Sequence, residues 1–369
     1  MRRRPRFRRG GRPEHCLEID EHSAYIRKSF RHGIHALTAT FPFPGDIVKI
    51  EKPLTTLYNV LMHGAPIEAQ LIVTRRCNLS CGYCFEYDNT SAPVPLEDLR
   101  RWIDSLHRLE VVHITLLGGE PLMHPQVAGI VAHGRKRSTV SITTNGFLIS
   151  EKIIGQLNDA DLSHMQISID TSKPDPSNYI QKSLKVLRPK LARLNKLATF
   201  DLHIAAVLCE HSLDEVKDLL HEAEEIGIPM SLSVMHDEKG AVAITGEPYL
   251  ELYDYYGKNN NHFGFSLIDY GYSRKLLQGK TPSWKCRAGA RSLYVDEFGN
   301  VQFCASQRGR LNKPVEQYTW DDIREHSKTH KGCESGCAVD CVFRASQVDN
   351  DKFSLLRAIV KGYVGNGDH

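Results

Sequence analysis

Three cysteines carry the most chemical information in this chain. Cys77, Cys81 and Cys84 stand in Thr74-Arg75-Arg76-Cys77-Asn78-Leu79-Ser80-Cys81-Gly82-Tyr83-Cys84, directly after the apolar run Leu71-Ile72-Val73. A structural zinc ion takes four ligands, so three thiolates on one loop leave its shell incomplete. The same three thiolates can hold three irons of a 4Fe–4S cube and leave the fourth iron open to another ligand, since closely spaced cysteines are the usual holders of iron–sulfur clusters. The plainer alternative is three buried or zinc-bound cysteines.

Other stretches have residue types that can do chemistry. Gly118-Gly119-Glu120-Pro121 follows the strand-like Val112-His113-Ile114-Thr115-Leu116-Leu117. As an ordinary feature it is a glycine turn capped by Glu120. Thr143-Thr144-Asn145-Gly146 closes Val140-Ser141-Ile142, and Asn-Gly is also a common turn pair. Gln166-Ile167-Ser168-Ile169-Asp170 closes a further apolar segment. A second cysteine group, Cys286, Cys304, Cys333, Cys337 and Cys341, lies towards the C-terminus. Cys286 and Cys304 flank a hairpin pattern, Ser292-Leu293-Tyr294-Val295 and Val301-Gln302-Phe303, whose turn contains Gly299. Cys209 ends an apolar strand and reads as a small buried residue; Cys16 is given no role.

These stretches need a scaffold, and the pattern between them supplies one. Strand candidates are Ala69–Thr74, Val112–Leu117, Thr139–Thr144, His164–Asp170, Asp201–Leu208 and Met230–Met235. Helical stripes separate them: Leu96, Leu99, Trp102, Ile103 and Leu106; then Ile180, Leu184, Leu187, Leu191 and Leu194. Ser212-Leu213-Asp214-Glu215 is a capping-box pattern ahead of Val216, Leu219, Leu220, Ala223 and Ile226. Six strands alternating with helices predict a parallel βα array. In βα barrels the functional groups lie at strand C-terminal ends, and the Cys77, Gly118, Asn145 and Asp170 stretches all fall there.

The C-x3-C-x2-C spacing with an aromatic before the last cysteine, followed by Gly-Gly-Glu-Pro, resembles the radical S-adenosylmethionine (SAM) superfamily. The resemblance spans about residues 67–345 and implies an α/β fold, a partial (βα)6 TIM-like barrel open on one side to large substrates. It implies a 4Fe–4S cluster on Cys77, Cys81 and Cys84, with SAM on the open iron and its reductive cleavage to a 5′-deoxyadenosyl radical that abstracts a substrate hydrogen. The SAM contacts implied are Tyr83 near adenine, Gly118, Gly119, Glu120 and Pro121 around the methionyl ammonium, and Asn145, Ser168 and Asp170 on ribose and carboxylate. Glycines let backbone approach a ligand closely, and a carboxylate at Glu120 suits an ammonium.

The C-terminal group resembles the SPASM and twitch extensions of the same superfamily, through Cys286, the Gly299-x4-Cys304 hairpin and the later cysteines. The implied unit is a small β-hairpin/helix extension with one auxiliary 4Fe–4S cluster held by Cys286, Cys304 and two of Cys333, Cys337 and Cys341. The late spacing is Cys-x3-Cys-x3-Cys where the family has Cys-x2-Cys-x3-Cys, which leaves that pairing open. Zinc on a structural ribbon is the alternative.

Length and composition agree with an enzyme. The chain has 369 residues, 41% hydrophobic and 25% charged, ordinary for a globular protein with one large and one smaller domain. No apolar run approaches a membrane span. No apolar core follows the basic N-terminus, so no signal peptide is expected, and ten cysteines then favour metal or catalysis over disulfides and a reducing, cytoplasmic location. The expected organisation is a basic arm at 1–20, a helix and linker at 21–66, the barrel at 67–236, an aromatic-rich connector at 237–283, the auxiliary unit at 284–345 and a tail at 346–369. The first twelve residues hold seven of the 47 Lys and Arg residues and no acid, leaving 40 against 44 acids over residues 13–369, so the barrel itself is not a basic nucleic-acid surface. Such an arm is a solvated tail or a contact for RNA or anionic lipid. Behind it Ile26, Phe30, Ile34 and Leu37 make a stripe suited to packing on the barrel. The expected partners are an electron donor such as flavodoxin or ferredoxin and a peptide or small-molecule substrate. RNA modification is a further option, and the rival from another class is a non-catalytic zinc or iron–sulfur protein on a degenerate barrel.

Overall fold

A computed structural model describes residues 53–350, apart from 82–83, 85, 174–181, 209–212 and 260–264. The basic arm, the Ile26–Leu37 stripe, Cys16, Tyr83, Ile180, Cys209 and Ser212 lie outside the described residues.

All six expected strands form, within two residues of the expected ends: β1 Glu68–Thr74, β2 His113–Gly118, β3 Thr139–Thr144, β4 His164–Ser168, β5 Asp201–Leu208 and β6 Met230–Val234. Each is parallel to its neighbour. After a short helix α1 (Pro53–Tyr58), the helices between the strands are α2 (Leu96–Arg108), α3 (Val127–Gly134), α4 (Glu151–Asp159), α5 (Leu184–Leu197) and α6 (Leu213–Ile226). Their apolar stripes cover one face of the sheet: Leu99, Trp102, Ile103 and Leu106 of α2 and Leu184, Leu187, Leu191 and Leu194 of α5 are buried with Leu71, Ile114, Ile142 and Ile167. The strands alternate, so the residues between those positions face the other way, into the barrel.

The expected C-terminal hairpin forms and joins the barrel. Its strands, β7 (Ser292–Val295) and β8 (Asn300–Gln302), continue the barrel sheet. β7 runs parallel to β1, with Glu68 opposite Ser292 and Leu71 opposite Val295. β9 (Lys313–Pro314) completes the order β6-β5-β4-β3-β2-β1-β7-β8-β9. At the hairpin turn Gly299 has φ +80, and a Cβ there would lie 2.4 Å from the Trp102 ring. The turn is therefore seated on α2 and tolerates glycine alone.

The side of the barrel implied to be open carries three further helices of the chain's second half. α7 (Glu247–Asn259) and α8 (Phe265–Leu277) follow β6, and α10 (Asp340–Asn350) ends the described chain after the short α9 (Trp320–His326). α8 packs against β6, and α10 packs against both α8 and β7, so the seam between the two sheet ends is bridged by helices. The aromatic connector does this joining: Tyr272 stacks on Phe343 at 3.7 Å between ring centroids, Trp284 meets Phe343 edge-on, and the Tyr272 hydroxyl donates to the Cys337 carbonyl at 2.6 Å. From α10, Arg344 pairs with Asp269 at 3.3 Å, and its charge also acts on Glu68 of β1.

The interior face is polar. Glu68 accepts from the Thr115 hydroxyl at 2.7 Å, Ser141 donates to Thr115 at 3.1 Å, and His113 is bonded to Thr139 and Ser141, both at 2.7 Å. His164 and His203 lie side by side, 6.0 Å between centroids. Burial keeps these rings neutral: His113 falls to about 3, His164 to about 4, and His203 goes well below its ordinary value. The unfolded chain takes up these protons near pH 6.5, whereas the fold refuses them. Stability should therefore be whole above pH 6.5 and fall on acidification towards pH 4, by up to about 1.4 kcal/mol per pH unit for each histidine. Urea unfolding between pH 7.5 and 5 measures this slope, and His164→Asn should flatten it. Equal slopes in the two proteins would remove His164 from the account.

Candidate metal centre

The expected site stretches converge at the C-terminal end of the barrel, and Glu120 ties them together. β1 and β2 approach each other so closely there that no side chain fits. A Cβ on Gly118 (φ +139) would stand 1.9 Å from the Thr74 carbonyl oxygen, and one on Gly119 would stand 2.2 Å from that of Arg76. The two glycines thus allow close contact between chain segments here. Gly119 N–H donates to the Thr74 carbonyl at 2.9 Å and Glu120 N–H to the Arg76 carbonyl at 2.7 Å. The Glu120 side chain is fully buried. Its Oε1 accepts from Leu122 N–H at 2.9 Å and the Thr144 hydroxyl at 2.7 Å, and its Oε2 accepts from Asn145 N–H at 2.7 Å. A carboxylate with three protein donors and no exposure is a knot joining the turns after β1, β2 and β3.

Asn145 passes the constraint on to the cysteines. Its amide donates to the Asn78 side-chain oxygen at 2.8 Å and to Cys77 Sγ at 3.7 Å. Leu79 N–H also donates to Cys77 Sγ at 3.4 Å, and Cys84 N–H to the Cys81 carbonyl at 3.1 Å. The loop closes through Asp88 N–H on the Arg75 carbonyl at 2.7 Å. Burial pushes the Cys77 and Cys81 thiols up.

Ser168 ends β4 on the interior face, opposite Ala205. Asp170 is 2% exposed. Its carboxylate pairs with Lys182 at 3.0 Å, and its N–H donates to the Lys182 carbonyl at 2.8 Å. Sequence reasoning passed over Lys182. Its charge favours the thiolate of Cys81 and the carboxylate of Glu120, so it stands at this site. The sequence offered no signal, because Lys182 fell inside the stripe expected to be helical from Ile180, whereas the helix begins at Leu184.

The second cysteine group forms its own cluster. Cys286, Cys304 and Cys337 are buried with Ala288, Phe303, Val339 and Val342. Cys286 lies before the hairpin and Cys304 just after it, capping a short turn at Ala305–Gln307. Ala288 N–H donates to Cys286 Sγ at 3.4 Å. Burial raises the thiols to about 11 at Cys286 and about 12 at Cys304 and Cys337, and the cysteines raise one another further. Lys331, 2% exposed, lies over the Phe303 ring at 4.8 Å. Burial pushes it down to about 8, while Cys286 and Cys333 act the other way. It is a buried cation beside an anion-forming group, and the sequence gave no notice of it.

Among the described residues, no three His, Cys, Asp or Glu side chains gather closely enough to chelate a single metal ion. A lone zinc draws its sulfurs to about 2.3 Å from one point, whereas a cube carries each cysteine on a different iron. Amide hydrogen bonds to cysteine sulfur are a standard means of tuning iron–sulfur clusters, and both cysteine groups have one.

Residues 71–239 match the Radical SAM superfamily. These residues are a radical SAM domain. The bovine molybdenum cofactor biosynthesis protein 1 is 33% identical over 186 residues, 43% of this chain and 29% of that protein. The mycofactocin maturase MftC of Mycobacterium ulcerans is 25% identical over 260 residues, 66% of this chain and 69% of that one. In the first curated relatives it matches, the chain spans half of their length or less. Among solved structures, Streptococcus suis SuiB bound to precursor peptide SuiA superposes with a TM-score of 0.57 at 15% identity, over 82% of this chain and 75% of that one. That likeness shows the shared fold, which includes the partial barrel. No described helix is long and apolar enough to cross a membrane.

Glu120→Ala leaves three buried donors unpaired, at about 1–3 kcal/mol each before relaxation. It should lower stability by roughly 3 kcal/mol in metal-free protein. Urea denaturation of the apo chain is the measurement. A variant as stable as wild type, with impaired SAM binding alone, would restore Glu120 to the role of ligand.

Proposed function

We propose that this chain is a radical SAM enzyme that abstracts hydrogen from a peptide substrate and carries one auxiliary cluster. The observation that carries the reading is the convergence of Cys77, Cys81 and Cys84 with the Gly118–Pro121, Asn145 and Asp170 turns at one end of a radical SAM barrel. A cluster on the triad, once bound and reduced, supplies the electron that cleaves the SAM sulfonium bond and generates the hydrogen-abstracting radical. The chain's own residues bind and orient. Asn145 and Leu79 donate to Cys77, and backbone at Gly118–Pro121 together with Ser168, Asp170 and Lys182 offers polar groups to the amino-acid and ribose parts of SAM. Glu120 positions these turns through its three protein donors. Tyr83 stays the adenine neighbour implied by the resemblance. A peptide is the substrate class proposed because the MftC match is longer than the matched barrel and that protein is named a maturase.

For the auxiliary cluster we assign Cys286, Cys304, Cys333 and Cys337. Cys337 feels the charge of the other three, and Cys304 that of Cys286 and Cys333. Cys341 instead has Glu68, Arg344 and Asp340 as its foremost charged neighbours, with Cys304 last. It stands in the first turn of α10 and packs against the same cluster from its edge, so it is the fifth cysteine of the group and the one left outside the proposed ligand set.

Two measurements test this. Anaerobically reconstituted, dithionite-reduced protein should convert SAM to 5′-deoxyadenosine and methionine. The Cys77→Ala/Cys81→Ala/Cys84→Ala variant should yield none, and equal yields from both would end the reading. Iron analysis tests the extension: Cys337→Ser should lose about four irons per chain and Cys341→Ser none. Loss with Cys341→Ser would return that residue to the ligand set.

A further inference from the structure

The loop of the core cysteines is joined to the C-terminal hairpin by a closed ring of charges that the SAM chemistry does not use. Arg75 and Glu86 flank the triad. Glu297 lies in the β7–β8 turn, and Arg308 stands four residues beyond Cys304. Arg75 pairs with Glu86 at 2.8 Å and with Glu297 at 4.0 Å; Arg308 pairs with Glu297 at 2.7 Å and with Glu86 at 3.7 Å. Each guanidinium thus meets both carboxylates. Tyr294 of β7 lies under the ring: its hydroxyl donates to Glu86 Oε2 at 2.8 Å, and Arg308 lies over its face at 5.9 Å. Burial and the Glu86 charge hold Tyr294 in its neutral, donating form. The side chains are 14–30% exposed, so solvent screens this ring less than an ordinary surface pair.

The partners come from opposite ends of the sequence, 208 residues apart for Glu86 and Tyr294. The other ties of the core loop described above run to the barrel itself. This one runs to the hairpin that Cys286 and Cys304 flank. We infer that Glu86 and Tyr294 form a latch through which the folded extension positions the core cysteine loop, so that the core site takes its final shape only when the hairpin is in place. Glu86 and Tyr294 are positioning residues: they touch neither cysteine sulfur, and they act through the loop between Arg75 and Asp88.

The inference rests on the radical SAM reading for its consequence but not for its geometry, and two measurements separate the two. Hydrogen–deuterium exchange of peptides covering residues 75–88 should speed up at least tenfold in metal-free full-length Tyr294→Phe and Glu86→Gln. The double variant should add little to either, because the two residues make one interaction. Asp254→Asn, which breaks the distant Arg274–Asp254 pair, should leave that segment unchanged. In reconstituted protein, the iron whose EPR signal responds to added SAM should be lost to a chelator at least fivefold faster in Tyr294→Phe than in wild type. Unchanged exchange in both single variants overturns the latch. So does fully additive behaviour in the double variant. Faster exchange in a protein whose core binds no iron upholds the latch and overturns the cofactor reading instead.

Discussion

Burying an ionisable carboxylate is costly unless its oxygens are all bonded, and Glu120 meets that condition with three donors from two chain segments. Its donors come from its own turn, from Thr144 and from Asn145, while its backbone N–H reaches the Arg76 carbonyl. The contact exists because Gly118 and Gly119 let the turn after β2 lie against the end of β1 at distances no Cβ permits. The rest of the candidate centre depends on this knot. Asn145 is oriented by it, and Asn145 in turn holds Asn78 and Cys77. A set of cysteines on an irregular loop acquires a defined position through neighbours of this kind, much as metal ligands in general are oriented by the residues behind them.

The second constraint is the closure of the barrel. Six parallel strands leave two sheet ends apart, and this chain extends one with its C-terminal hairpin and bridges the gap with α8 and α10. Cys286 and Cys304 thereby flank a hairpin that shares a sheet with the barrel, and the four-charge ring around Glu86 ties that hairpin to the core loop as well. Loss of structure at the hairpin would be felt at both cysteine groups, since neighbours that share partners couple energetically. In the polar interior behind them, Glu68, Thr115, Ser141 and His113 are joined in one chain of hydrogen bonds, which offsets the cost of their burial.

Much was legible in the residues alone. The strand ends at Thr74, Thr144 and Leu208 and the buried stripes of α2 and α5 follow from local periodicity, which the backbone geometry of strands and helices imposes on any sequence that must bury one face. The cysteine spacings and the Gly-Gly-Glu-Pro turn are local too, so the chemistry they suit was open to reading before any fold was known. Tertiary structure decided everything that depends on segments far apart in the chain. It seated the two glycines against the end of β1, gave the Glu120 carboxylate its three donors, brought Lys182 to Asp170 and Lys331 to the second cysteine group, and placed β7 beside β1. It also packed Cys341, beside Glu68 and Arg344, against the cluster that holds Cys286, Cys304 and Cys337. No pattern within a window of residues could announce these pairings, because each arises only when the helices have packed and the sheet has brought its strands into register.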